Sequence, residues 1–155
     1  MIKMSDRLLE LSAIFKENDM QYSNAAKMLG VSDGVLWILY AIRESDVALT
    51  QKQIAGTVSI PTQTINSALK KMESDGYVRL SNDTDRRSKQ VYLTDKGELL
   101  AQRTVDKVIS IEMKILDGMS EDEMAVFLKL FHKYSDLLKE YFCDLEKEIK
   151  KSERS

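Results

Sequence analysis

The sequence contains few of the residues on which disulfide-stabilised, metal-binding and catalytic proteins depend. Its 155 residues include one cysteine, one proline and one histidine. Because disulfides need pairs of cysteines and proline interrupts helices, we expect a reducing compartment and a helix-rich chain. His132 and Cys143 lie eleven residues apart on one predicted helix, which separates them by about 16 Å at about 1.5 Å per residue. They cannot act together within one subunit, and we interpret both as interface or core residues.

Further absences exclude other classes of protein. The chain has no glycine-rich loop that would cradle a phosphate and no Cys-x-x-Cys pair, so nucleotide hydrolysis and structural zinc have no support. We predict no enzyme activity, no cofactor and no metal. No run approaches the roughly 18 apolar residues of a membrane span, and the first residues lack the basic-then-apolar order of a signal peptide. We therefore expect a cytoplasmic protein with no membrane partner.

The charged residues are unevenly distributed along the chain. With 43% hydrophobic and 31% charged residues, the composition is that of a soluble globular protein, and the formal net charge is −2. The stretch from Thr50 to Leu93 nevertheless holds seven basic and four acidic residues, whereas both flanks hold more acids than bases. A locally basic module between acidic flanks is typical of a protein that contacts phosphates with one part only.

The basic stretch begins with the pattern of two short helices. Thr50 and Gln53 have the spacing of a capping box, which predicts a helix that opens at Gln51. Pro61 suits the first turn of a second helix, because its missing N–H has no partner to lose there. The apolar residues of this second helix recur at steps of three and four, which predicts one buried stripe formed by Ile65, Ala68, Leu69 and Met72.

The opposite face of the second helix is polar and contains no acid. Amides and hydroxyls reach base edges and ammonium groups neutralise phosphates, so this face suits a DNA major groove. A polar face without any partner is the alternative that composition leaves open. The candidate DNA-binding residues are Thr62, Gln63, Thr64, Asn66, Ser67, Lys70 and Lys71.

A β-hairpin is predicted directly after this helix. Gly76 ends the helix as a C′ residue, and the chain from Tyr77 to Leu80 then has the pattern of a strand. A turn at 82–85 and a returning strand around Val91 complete the hairpin. The hairpin tip carries Arg86, Arg87 and Lys89 beside the polar helix. Residues 47–49 are expected to add a short third strand.

Helix, turn, helix and basic hairpin together resemble the MarR family of winged helix-turn-helix transcriptional regulators. The resemblance is specific in the hairpin, where Asp85-Arg86-Arg87 is followed by Val91-Tyr92-Leu93-Thr94-Asp95-Lys96-Gly97, and it covers roughly Ser32 to Gly97. It implies that Arg87 enters a minor groove, that Asp85 orients it and that Arg86 contacts phosphate. Lys89 is interpreted as a solvated strand residue unless shown otherwise.

The resemblance also implies a homodimer that is regulated by a small ligand. The ligand would lie in the cleft between the dimerisation helices and the DNA-binding lobe. Trp37 and Tyr40, on a helix capped by Ser32, could line such a cleft, but aromatic residues at helical spacing are usually core residues, and we interpret them as core.

The two ends of the chain are predicted to be long helices. One covers most of Ser5 to Leu29, another runs from Asp95 to Leu116, and the last begins after a capping box at Ser120 and ends near Lys150. Their apolar residues exceed what the lobe alone can cover, so we expect a second subunit to cover them; a final helix that folds back onto a monomer core is the alternative. The candidate dimerisation residues are Leu8, Leu9, Ile14, Phe15, Leu130, Leu137, Leu138, Tyr141, Phe142 and Leu145.

The expected fold is mainly α with a small β-hairpin wing, an α+β arrangement in one MarR-like domain. Within it, residues 32–97 would form the winged helix-turn-helix lobe, 1–30 and 98–150 the dimerisation helices, and 151–155 a disordered tail. We expect a sequence-specific DNA-binding regulator that recognises an inverted repeat in double-stranded DNA. A winged-helix module that contacts another protein through the same face is the competing hypothesis.

Overall fold

The computed structural model describes residues 3–58, 60–81 and 89–153. In these ranges the chain is mainly helical with one small antiparallel sheet, which confirms the predicted fold class. Packing divides it into two compact units, Met1–Ser110 and Ile111–Ser155. The elements in chain order are α1 (Asp6–Met28), α2 (Asp33–Glu44), β1 (Leu49–Thr50), α3 (Gln51–Thr57), α4 (Thr62–Ser74), β2 (Val78–Ser81), β3 (Gln90–Leu93), α5 (Asp95–Arg103), α6 (Val105–Asp117) and α7 (Glu121–Ser152).

The core of the first unit surrounds α2, as expected for a helix that is apolar on more than one face. Ile38 and Leu39 are fully buried, and Ile54 of α3 and Ile65 of α4 pack into the same cluster. Leu100 and Val105 close the cluster from α5 and α6. The first unit therefore includes α5, which the sequence analysis assigned to the dimerisation helices.

The sheet has the strand order β1-β3-β2, and both pairings are antiparallel. Val78 lies opposite Leu93, and Leu49 lies opposite Val91. The two paired strands of the hairpin and the third strand are confirmed, although the third strand forms at Leu49–Thr50 rather than at 47–49. The predicted turn at 82–85 lies outside the described residues.

The ends of the helices follow the local signals in the sequence. Ser32 and Ser120 cap α2 and α7, and Thr50 and Gln53 form the predicted capping box of α3. Gly30 and Gly76 end their helices with φ of 74° and 75°, a left-handed conformation that costs least at glycine. Pro61 is the N-cap of α4 rather than part of its first turn, so that helix begins at Thr62.

The prediction of one continuous helix from Asp95 to Leu116 was wrong at Thr104. This residue separates α5 from α6, with φ of −123° and ψ of −89°. It is fully buried, and its hydroxyl donates a 2.6 Å hydrogen bond to the carbonyl oxygen of Leu100. The bond gives the buried hydroxyl a partner in the preceding turn, and side-chain bonds of this kind often accompany bends in helices.

The second unit consists mainly of α7, which begins with a complete capping box between Ser120 and Glu123. The Glu123 carboxylate accepts a hydrogen bond from the backbone N–H of Ser120, and this bond holds the pKa of Glu123 below its usual range. The helix extends to Ser152, two residues into the segment that the sequence predicts to be disordered. Residues 154–155 lie outside the described residues.

Among the described residues, no single helix is long and apolar enough to cross a membrane. Taken together, α1 and α2 have the length and apolar composition of a membrane span, but they are bent by 99° at their junction.

Candidate nucleic-acid interface

The outward face of α4 is a continuous polar surface. The buried stripe formed by Ile65, Leu69 and Met72 is at most 1% exposed, which confirms the predicted apolar side of the helix. The candidate DNA-binding residues of this helix are all exposed, and we name them the α4 polar face: Thr62, Gln63, Thr64, Asn66, Ser67, Lys70 and Lys71. The face carries two positive charges and no carboxylate, so it is chemically suited to an anionic, hydrogen-bonding partner.

The α4 polar face is held in place by a close approach between α4 and α2. A Cβ atom added at Gly34 would lie 3.3 Å from Cβ of Ala68, so glycine lets the two helices come near each other. At the other end of α4, the backbone N–H of Tyr77 donates to the carbonyl oxygen of Met72 at 2.8 Å. Lys96 Nζ also donates to the carbonyl oxygen of Asp75 at 2.7 Å. The face is therefore presented by a helix that is anchored in its middle and at its carboxyl end.

The amino end of α4 lacks a side-chain cap. Pro61 makes no side-chain hydrogen bond to the first turn, and only its carbonyl oxygen accepts hydrogen bonds, from the N–H groups of Thr64 and Ile65 at 2.8 and 3.2 Å. The N–H groups of Thr62 and Gln63 have no i−4 partner within the helix, as at every helix start. Such groups, with the helix dipole, favour an anion near this end.

The β2–β3 hairpin adds a cation that the sequence analysis missed. Arg79 is exposed on β2 between the buried Val78 and the half-buried Leu80. Its guanidinium carbon lies 4.4 Å from the centre of the Tyr92 ring, directly across the sheet. The alternation of buried and exposed residues along β2 is the signal that could have identified Arg79. Lys89 is exposed at the start of the returning strand.

The remaining wing residues, Asp85, Arg86 and Arg87, lie outside the described residues. Their assignment to DNA contacts stays a prediction.

A three-residue ion cluster fastens α2 to the helices that follow the hairpin. Arg43 donates to Asp106 at 2.8 and 3.0 Å and to Glu98 at 3.0 Å. Hydrogen bonds from Asp106 and Glu98 raise the pKa of Arg43, and the bond with Arg43 lowers the pKa of Glu98. The bidentate geometry fixes the orientation of both partners. Sequence spacing contained no signal for this cluster, because Arg43 is more than fifty residues away from both of its partners.

A cavity of about 480 Å³ lies between α1, α2 and the turn that connects α3 to α4. We name it the α1–α2 cavity; its described lining is Asp19, Ser23, Asp33, Trp37, Tyr40, Ala41, Glu44, Thr57, Val58 and Ile60. Trp37 and Tyr40 are both half-buried and line this wall. Tyr40 also packs against the core cluster, so the interpretation as a core residue holds in part for Tyr40. Convergent polar groups, which the sequence analysis did not find, come from two helices.

Large apolar side chains are exposed on both end helices. On α1, Leu8, Leu9 and Ile14 are about half exposed, and Phe15 is half-buried. On α7, the candidate dimerisation residues are between 40% and 68% exposed; they are Leu130, Leu137, Leu138, Tyr141, Phe142 and Leu145. An apolar surface of this extent is unusual for a monomer.

His132 and Cys143 are also exposed on α7, so neither is a core residue of this chain. In the described part of the chain, no group of three or more His, Cys, Asp or Glu residues could hold a metal ion.

Helices α3 and α4, the turn between them and the β2–β3 hairpin define a winged helix-turn-helix protein. A family model described as MarR family matches residues 29–88, a range that includes α3, α4 and β2. Over these residues the chain resembles the MarR family.

Similarity to individual proteins extends over different shares of the chain. The HTH-type transcriptional regulator PecS of Dickeya dadantii is 34% identical over 82 residues, which are 52% of this chain and 49% of PecS. The chain thus spans about half the length of this relative.

Two solved structures share the fold. NMB1585, a MarR family regulator from Neisseria meningitidis, has a TM-score of 0.75 at 16% identity, over 90% of this chain and 99% of that one. MepR from S. aureus, in a structure of its complex with DNA, has a TM-score of 0.68 at 18% identity, over 86% of this chain and 96% of that one.

Proposed function

We propose that the protein is a sequence-specific, DNA-binding transcriptional regulator. The observation that carries the proposal is the α4 polar face, which is exposed, free of carboxylates and held by contacts with α2 and with the chain after α4. Its early residues, from Thr62 to Ser67, would read base edges in a major groove. Lys70 and Lys71 would neutralise phosphates and set the overall affinity. The curated relative PecS is named a transcriptional regulator, and the MepR structure holds DNA, which supports this assignment.

The hairpin is the second proposed contact. By resemblance, Arg87 enters the adjacent minor groove, Asp85 fixes the plane of its guanidinium, and Arg86 contacts phosphate. A narrow minor groove favours an arginine because its negative potential is enhanced. Arg79 extends this positive surface along β2.

A homodimer is proposed as the DNA-binding form. The exposed apolar residues of α1 and α7 supply a surface that a second copy would cover. Two recognition helices related by a two-fold axis and about 34–36 Å apart would match an inverted repeat. The protein would act in the cytoplasm, and a small effector in the α1–α2 cavity would modulate it.

The salt dependence of binding tests the DNA assignment against contact of the same face with another protein. Duplexes would be selected from a random library, and affinity for a selected duplex would be measured by fluorescence anisotropy over a range of salt concentrations. Phosphate neutralisation gives a steep log-log slope, and removing two phosphate contacts should reduce the slope by about two. We expect this reduction for the variant Lys70→Ala/Lys71→Ala.

The matched control is Lys16→Ala/Lys107→Ala, which removes two exposed lysines from α1 and α6. It should leave the slope near that of the wild type. A flat slope for the wild type, or failure to enrich any duplex, would reject DNA binding and favour the protein-contact hypothesis.

A further inference from the structure

The chain directly after β3 holds both the carboxyl end of α4 and the base of the hairpin. The backbone N–H of Thr94 donates to the carbonyl oxygen of Tyr77 at 3.0 Å, and the Thr94 hydroxyl donates to the carbonyl oxygen of Gly76 at 2.6 Å. Lys96 Nζ donates to the carbonyl oxygen of Asp75, the C-cap of α4, at 2.7 Å. Three consecutive carbonyl groups, where the chain leaves α4, are thus bonded to this segment.

Lys96 is the charged member of this set. Its ammonium nitrogen also lies 4.5 Å from the centre of the Tyr77 ring, so a hydrogen bond and a cation–π contact together fix the side chain. The last carbonyl groups of a helix carry partial negative charge, which favours a cation at this end. In the part of the chain that the structure describes, Lys96 forms no ion pair. Its charge is therefore placed on the end of α4 rather than on a carboxylate.

The two ends of α4 are held differently. The amino end lacks a side-chain cap. At the carboxyl end, the backbone N–H of Tyr77 donates to the carbonyl oxygen of Met72 at 2.8 Å. A Cβ atom at Gly97 would lie 1.9 Å from the carbonyl oxygen of Tyr77, so the segment after β3 already lies against this end of the helix. The direction of α4 is therefore set at its carboxyl end and by its contact with α2, and Lys96 contributes to the first of these.

Contacts with bases need more exact placement than contacts with phosphates. A side-chain amide recognises a base through two short hydrogen bonds made at once, and a displacement of about 1 Å is enough to break such an arrangement. A lysine reaches a phosphate as a point charge on a flexible stem, which tolerates the same displacement. A change in the direction of α4 should therefore reduce discrimination between DNA sequences more than overall affinity for DNA.

We propose that Lys96 is a positioning residue for sequence recognition. Its bond to the carbonyl oxygen of Asp75 sets the direction of α4 relative to the hairpin, and Lys96 itself does not contact DNA. The role in recognition rests on the proposed function, because it deepens the role of the α4 polar face. The holding of α4 by Lys96 is a property of the free protein, and it is tested without DNA.

Amide hydrogen exchange measured by NMR tests whether Lys96 holds the end of α4. The variant Lys96→Met keeps the unbranched stem and removes the donor and its charge. We expect exchange at 75–77 to become at least threefold faster, while the amide of the buried Leu39 in α2 exchanges as in the wild type. Unchanged exchange at 75–77 overturns the proposal. An equal acceleration at Leu39 also overturns it, because Lys96 would then contribute only to general stability.

The ratio of the affinities for selected and random duplexes tests the role in recognition. For Lys96→Met, we expect this ratio to fall at least threefold and the salt slope to stay near that of the wild type. Lys96→Arg keeps a cation with N–H donors and should restore most of the ratio. An unchanged ratio overturns the proposal. A slope reduced by about one would make Lys96 a phosphate contact, which also overturns it.

Two lysines supply the comparison variants. Lys70→Met removes a proposed phosphate contact, so it should weaken binding to both duplexes by the same factor and reduce the slope by about one. Lys107→Met removes an exposed lysine from α6 and should bind both duplexes like the wild type. If Lys96→Met behaves like Lys70→Met, the proposal is wrong. If the wild type binds no duplex, the proposed function fails together with the role in recognition, and hydrogen exchange still decides whether Lys96 holds the end of α4.

Discussion

Asn66 lies in the middle of the α4 polar face, next to the fully buried Ile65. We predict that Asn66→Ala costs about 1–3 kcal/mol of affinity for the selected duplex, because a side-chain amide that bonds to a base edge discriminates between bases. The loss on random DNA should be much smaller. Anisotropy titrations against both duplexes measure the two values.

Asn24→Ala is the matched control, since Asn24 is exposed on α1 and away from α4. It should bind both duplexes like the wild type. Equal losses by Asn66→Ala on selected and random DNA would assign Asn66 to phosphate contact instead of base recognition.

Gly97 packs so closely against the backbone of Tyr77 that a larger side chain would clash there. A Cβ atom at this position would lie 1.9 Å from the carbonyl oxygen of Tyr77, which is backbone and cannot rotate away. We predict that Gly97→Ala lowers the free energy of unfolding by an amount at the upper end of about 1–3 kcal/mol, the usual cost of overpacking. Urea denaturation followed by circular dichroism gives the value.

Gly56 provides the opposite case on a neighbouring element. A Cβ atom there meets nothing within 4 Å, and the residue belongs to α3. Gly56→Ala should therefore raise the stability by about 0.5–1 kcal/mol, because alanine loses less conformational freedom in a helix. A stabilising Gly97→Ala would show that the hairpin can move away from α5.

At the scale of elements, the Arg43 cluster joins α2 to α5 and α6 and makes stability depend on pH. The bond with Arg43 lowers the pKa of Glu98 in the folded state, so ionisation of Glu98 favours folding. The contribution of ionised Glu98 to the free energy of unfolding is complete above the unfolded pKa of about 4.3. It is lost as the pH falls through the lower pKa that Glu98 has in the folded state. Because both partners are partly exposed, we expect the contribution to be no more than about 1 kcal/mol.

We predict that Glu98→Gln is less stable than the wild type at pH 7, and that the difference shrinks as the pH falls below the unfolded pKa and through the lowered folded pKa of Glu98. Denaturant melts at several pH values measure this. Glu73→Gln, an exposed change on α4 without an ion pair among the described residues, should differ little from the wild type at any pH. A constant difference for Glu98→Gln across this range would assign the effect to packing.

An element could be predicted from the sequence where the residues that determine it lie within a few positions of each other. The α3 capping box and the buried stripe of α4 need only residues a few positions apart, and both were predicted correctly. The break at Thr104 coincides with full burial of this residue, which is a tertiary property, and it was missed. The α1–α2 cavity was missed because its carboxylates converge from two helices, although the spacing of Asp33, Trp37, Tyr40 and Glu44 was visible on one of them.

At the scale of the whole molecule, α7 carries exposed apolar side chains along much of its length, and Tyr134, Leu138 and Leu145 lie on one side of the helix. We predict that Leu138→Asp shifts the protein towards monomer in sedimentation and abolishes tight binding of the selected duplex, because an unpaired charge in an apolar contact is costly. NMR should show the first unit still folded. A wild-type protein that sediments as a monomer would contradict the proposed dimer.

Cys143→Asp is the control for this change. Cys143 is nine residues after Tyr134, which places it half a turn away from Tyr134 at about 3.6 residues per turn. The sequence analysis allowed Cys143 a core or an interface role; its exposure excludes the first, and this position argues against the second. The variant introduces the same charge on the same helix, and it should remain dimeric. Dissociation of both variants would mean that charge on α7, rather than the apolar side, determines assembly.

Counted over the described part of the chain, α7 has no buried residue of its own. A helix in water gains little from propensity alone, and most helical stability in proteins comes from packing of an apolar side. If a second copy supplies that packing, the order of α7 is governed by mass action, and folding of this segment and pairing of subunits form a single equilibrium. The number of copies in a cell would then set the amount of binding-competent regulator more steeply than in simple proportion, because each active molecule consumes two chains.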